Sequence, residues 1–157
     1  MKIRSGILSL FAALSLLAPP VLADFDAVLS AYKAGDYQTA LPELLSAAEA
    51  DHAQAQYTLG KMHNEGKGVA LDRANAVHWW QKAAAQNHAQ AQFSLGVLYS
   101  SGKGVTKDNV VAHMWFSLAA ANGKRNAKRL LKVITLQMTP RQFAEAEHRV
   151  ADWRATN

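Results

Sequence analysis

Ser100-Ser101-Gly102-Lys103 has the S-x-x-K spacing in which a serine nucleophile works beside a lysine, as in penicillin-recognising enzymes. The supporting S-D-N and K-T-G motifs are missing. The serine also falls at the predicted end of a helix, where the negative pole of the dipole opposes developing anionic charge. Gly66-Lys67-Gly68 and Gly102-Lys103-Gly104 resemble phosphate cradles. A P-loop, however, places Gly-Lys and then Ser or Thr between a strand and a helix. Here the lysine sits between the glycines, no Ser or Thr directly follows it, and the preceding segment reads as helix. Six histidines (His52, His63, His78, His88, His113 and His148) include no i,i+4 pair and no H-E-x-x-H, and there is no cysteine. No metal site and no cofactor is expected. Lys124, Arg125, Lys128, Arg129 and Lys132 form a basic cluster, with the three lysines at i,i+4 spacing on one predicted helix. That cluster suits an anionic lipid headgroup or an acidic protein patch, or else serves as a solubilising face. Nucleic acid suits its charge but not the compartment argued next.

Residues 1–23 read MKIRSGILSLFAALSLLAPPVLA. A short positive head, an apolar run ended by Pro19-Pro20, and small residues at Val21 and Ala23 make the layout of a cleaved secretory signal. The run is shorter than the roughly 20 residues a membrane span needs. The expected address is a periplasm, or the exterior, after cleavage near Ala23. Without Lys2 and Arg4 the chain holds fifteen cations against twelve acids, a mildly basic +3. With no cysteine, stability must come from packing rather than disulfides.

The elements that would position these residues come from a repeat. Ala53–His88 lies on Ala89–Lys124 without a gap at an offset of 36, with 16 identities in 36 positions. Each unit reads as two helices. The first, about Gln54–Glu65, carries Ala55, Leu59, Met62 and Gly66 on one stripe, and the second, about Arg73–Gln86, carries Ala76, Trp79 or Trp80, and Ala83. Asp72 and Asp108 fit N-caps, and Gly66 and Gly102 fit the left-handed residue closing a helix. Gly68 and Gly104 suit a tight turn, with Val69 and Val105 plugging the gap between helices. Gly60 and Gly96 lie mid-helix, where glycine costs about 1 kcal/mol against alanine. Close approach to the alanine triplets at 83–85 and 119–121, with Trp79 and Trp115 over the seam, would offset that.

Each unit resembles the Sel-1-like repeat, through A-x-A-Q-[YF]-x-L-G, G-K-G-V-x-x-D and A-x-x-W-x-x-x-A-A. The resemblance covers 72 residues and implies a relative of the tetratricopeptide fold. Residues 24–52 resemble a capping helix pair turning at Gly35-Asp36, without the glycine loop and with Glu43 where the tryptophan belongs. Pro42 predicts a late start or a kink there. Residues 125–157 read as a second cap. Arg125–Met138 stands in for a first helix. Thr139-Pro140-Arg141-Gln142 begins the last one, with Phe143, Ala146, Val150 and Trp153 facing inward. The expected fold is all-α: a short right-handed superhelical solenoid of antiparallel helix pairs.

The resemblance implies that first helices line a concave groove. The candidate contacts there are Gln54, Thr58, Lys61 and Glu65, with their copies Gln90, Ser94, Val97 and Ser101. The implied function is a non-catalytic protein–protein adaptor in the bacterial envelope, holding a partner segment in that groove. The alternative is a β-lactam- or peptidoglycan-fragment-binding or hydrolysing enzyme, like some cysteine-rich exported relatives. A third reading is a structural subunit whose concave face is filled by its own cap or by a second copy.

Overall fold

Asp36, Asp72 and Asp108 each place a carboxylate oxygen on backbone amides two or three residues ahead, and each opens a helix. In the computed structural model, which describes residues 25–157, eight helices follow: α1 (Phe25–Ala34), α2 (Tyr37–Glu49), α3 (Ala53–Glu65), α4 (Arg73–Ala85), α5 (Ala89–Ser101), α6 (Asn109–Ala121), α7 (Arg125–Thr135) and α8 (Pro140–Thr156). The leader expected at 1–23 lies outside the described residues. Each helix packs mainly on its neighbours in sequence, with α8 returning onto α6. The result is a solenoid of helix pairs.

Gly66 and Gly102 close α3 and α5 in the left-handed conformation (φ 66° and 70°), each amide bonded back to the helix, as the spacing predicts. Val69 and Val105 are half-buried against the core. Thr139 and Gln142 form a reciprocal capping box with proline at N1.

Four local expectations change. Gly60 and Gly96 do not serve the alanine triplets. A methyl group at Gly60 would overlap the Trp80 ring, and one at Gly96 the Phe116 ring. The offsetting term is therefore an aromatic face laid on bare backbone. Trp79, half-buried, joins the N-terminal cluster instead, and Trp115 packs edge-on to Trp153 at 4.8 Å. Pro42 neither delays nor breaks α2, because Asp36 caps the helix from Tyr37 on. The only bond forfeited is to the carbonyl of Gln38, an exposed residue that water can serve. Helix α7 stops at Thr135, short of Met138. Phe143 remains 42% exposed, while Ala146 and Val150 are buried as expected and Trp153 is half-buried.

Two recurring devices join the units. The fully buried Gln56 donates to the Ala48 carbonyl (3.0 Å) and accepts from Gln86 (2.9 Å), so one amide ties α3 to the ends of α2 and α4. Gln92 repeats this, donating to Ala84 O and accepting from Asn122. A buried amide this well satisfied stabilises one register over others. His52 and His88 are the second device. Each accepts an amide at Nδ1 as the N-cap of α3 or α5.

Candidate functional site

The first helices α1, α3, α5 and α7 stand along one face. Leu29, Tyr32 and Lys33 of α1 meet Gln54, Tyr57, Thr58 and Lys61 of α3 around a cavity of about 370 Å³. Further along, Gln90 of α5 meets Gly123, Lys124, Arg125 and Asn126 around one of about 320 Å³. Three members of the first stripe thus share a cavity, and Glu65 stands beyond it, 4.0 Å from Lys61. In the second copy Gln90 lines the cavity at the start of α7.

The stripe is not the uniform solvated surface its polarity suggests. Thr58 is 3% exposed, donating to Gln54 O and accepting from the Gln54 amide. Its role is to close the cavity floor. Gln54 also accepts from His88 (3.0 Å), whose ring stacks on Tyr57 at 4.9 Å. Because Nδ1 caps α5, the His88 proton belongs on Nε2, where Gln54 receives it. Burial pushes the His88 imidazole below its ordinary value, and burial likewise pushes the Tyr57 phenol up. Both are therefore neutral hydrogen-bonding groups near pH 7. Lys61 lies 5.7 Å over the Tyr32 ring. In the second copy Ser94 is half-buried, Val97 is exposed, and the Ser101 hydroxyl is spent on the Val97 and Leu98 carbonyls.

The basic cluster is real as a surface. Arg125, Lys128, Arg129 and Lys132 are exposed on α7, opposite buried Ala127 and Ile134. Lys124 starts the helix, its ammonium 5.2 Å over Phe93. Among the described residues none of the five pairs with a carboxylate. Lys128 and Lys132 flank a cleft of about 430 Å³ with Leu131, Leu136 and Phe143, closed on the far side by Glu147 and the buried His113.

Ser100 donates to Val97 O (3.0 Å) within α5, as the helix-end placement predicts. The lysine that shares a cavity with it, about 240 Å³, is Lys107 and not the motif's Lys103. His63, at the position of Tyr99 in the other unit, packs half-buried with Nε2 3.3 Å from Asn75. No group of three or more His, Cys, Asp or Glu stands together among the described residues. Nor is any helix there long and apolar enough to cross a membrane. The ring of His88 and the amides of Gln56 and Gln92 escape a reading based on residue type, because histidine is not a usual cap and glutamine is rarely buried. Their recurrence at 36 residues was the available signal.

Against known proteins, the family model for the Sel1 repeat matches residues 53–88 and 89–124, the two units found by self-comparison. A protective antigen of uropathogenic Escherichia coli displaying an SLR fold superposes with a TM-score of 0.77 at 28% identity, over 82% of this chain and 28% of that one. A Sel1 repeat protein from Oxalobacter formigenes gives 0.67 at 28% identity, over 81% of this chain and 54% of that one. The chain thus spans about a quarter and about half of these two proteins. No curated protein matches it. The two adjoining matches, together with the likeness to both solved structures, show that residues 53–124 of this chain are two Sel1 repeats, a scaffold that generally serves protein–protein interaction.

Proposed function

We propose that the chain is an exported adaptor of the bacterial envelope, without catalysis of its own, that holds a segment of a partner protein along the α1–α3–α5–α7 face. The observation carrying this is the cavity between α1 and α3. Its walls offer aromatic surface (Tyr32, Tyr57), an amide (Gln54) and a cation (Lys61) at one place, the mix that recognises an extended peptide. Few first helices make a small face, so the contact is modest in area and transient. The signal-like leader supports export. N-terminal sequencing of the accumulated protein should begin at Asp24, and a start at Met1 would remove that part of the reading.

A photo-crosslinking residue at Lys61 or Val97 should capture the same partner, while one at exposed Gln81 on α4 should not. Equal capture from all three positions would refute the groove.

A second reading rests on Ser100 and Lys107 lining one cavity. There Ser100 Oγ would attack the amide carbonyl of a β-lactam or peptidoglycan fragment, the C–N bond would break, and the departing nitrogen would take up the serine proton to leave an acyl-serine. Turnover of a chromogenic β-lactam that disappears in Ser100→Ala would establish it, and no turnover in either protein would end it.

A further inference from the structure

Charge is distributed along this solenoid as a dipole. Residues 25–52 carry five carboxylates (Asp26, Asp36, Glu43, Glu49 and Asp51) against Lys33 alone. Residues 125–157 carry seven cations against three carboxylates. No acid occurs between Asp108 and Glu145. Helices α1 to α7 pack in sequence order, so α1–α2 and α7 stand at opposite ends and cannot neutralise each other within one copy, while α8 folds back onto α6.

The basic end also exposes apolar surface. Val133, Leu136 and Phe143 are 48%, 80% and 42% exposed, beside α7 cations that form no ion pair among the described residues. A terminal unit of a repeat stack ordinarily presents a polar outer face. At the acidic end, α1 packs chiefly on α2, and Glu43 and Glu49 are exposed on α2.

We infer that the basic α7–α8 end docks the acidic α1–α2 end of a second copy, head to tail. This is independent of the groove reading, which concerns a different face. The contact is heterologous, so it leaves one unused pole at each end and grows into short open stacks or a ring. Its electrostatic part sets orientation and is screened by salt. An anionic membrane is the competing occupant of the basic end, but it leaves the acidic end unexplained.

Sedimentation velocity of the protein, as recovered from expressing cells, tests this across a concentration series at about 0.02 M and about 0.5 M salt, which change the screening length severalfold. Mass should rise with concentration at low salt and return to monomer at high salt. Lys128→Glu/Arg129→Glu/Lys132→Glu and, separately, Glu43→Lys/Glu49→Lys should each weaken self-association at least about tenfold. Mixed in equal amounts, the two variants should associate again, because each keeps one intact pole and their reversed poles carry opposite charges. Lys128→Arg/Lys132→Arg should leave association unchanged, and circular dichroism checks that every variant is folded. A monomer under all conditions overturns the inference, as does a mixture that fails to pair. If the wild type stays monomeric and cosediments with phosphatidylglycerol vesicles in a way the α7 variant does not, the basic end serves lipid instead.

Discussion

Trp80 and Phe116 occupy the same place in the two repeat units, each ring lying on a helical glycine. Trp80 also donates its indole N–H to Tyr57 O at 3.0 Å, a bond the phenyl ring cannot make. Lys61, ion-paired and over an aromatic ring, has Val97 as its copy, and Glu65 has Ser101. The units therefore share what faces the stack and differ in what faces solvent. Identity is held at the glycines, alanines and glutamines of the helix joints, and it lapses at Lys61/Val97 and Glu65/Ser101. The first unit, with α1 across from it, lines a half-open cavity with polar and aromatic side chains, whereas the second carries Val97 and Ser101 where Lys61 and Glu65 stand.

The sharpest way to break the shared half is Gly60→Ala or Gly96→Ala. Overpacking of this kind costs about 1–3 kcal/mol, against a helix-propensity gain of about 1 kcal/mol, and with rigid rings opposite the net should be destabilising in both units. Thermal melts should drop for each, and an increase for either would disprove the ring-on-backbone packing. Gln92→Leu comes next. It removes two hydrogen bonds at a joint, the one to Ala84 O and the one from Asn122, each worth about 0.5–1.5 kcal/mol, and Gln56→Leu should behave alike in a denaturant titration. Asp72→Ala and Asp108→Ala remove caps worth about 1 kcal/mol. Asp108 accepts two amides and Asp72 one, so the second unit should lose more, sharpening the contrast.

The smallest effect is pH. The folded His88 binds its proton less readily than the ordinary value of 6.5, chiefly through burial. The unfolded chain then holds the extra proton, so stability should fall as pH drops below about 6.5 and level off below the folded value. His113, also depressed chiefly by burial against a partial pull from Glu147, adds in the same direction. His88→Gln should flatten part of that slope in melts between pH 7.5 and 5, and an unchanged slope would assign it elsewhere.

Much of the stack was legible from spacing because turn and cap chemistry is local: Asp72, Gly66 and the Thr139–Gln142 box need only their own few neighbours. What spacing left unread is whatever depends on a partner from another helix. Thr58 looks solvated by periodicity and is buried because α1 covers it. Trp79 and Trp80 are indistinguishable until Gly60 is seen opposite one of them. Phe143 belongs to an inward stripe and yet is 42% exposed, its ring edge-on to His113 in the cleft beside α7. The candidate groove was legible only as a list of residues, and its division into two cavities depends on α1 and on the start of α7.

The gapless period has an evolutionary corollary. His88 and Ala89 meet at a joint that His52 and Ala53 already make one unit earlier, with the same capping ring and the same buried amide behind it. A recombination event that duplicates or deletes 36 codons would rejoin two ends that already fit, changing the protein's length by one whole module while leaving both termini untouched. Its length is thus inherited in steps rather than by gradual drift.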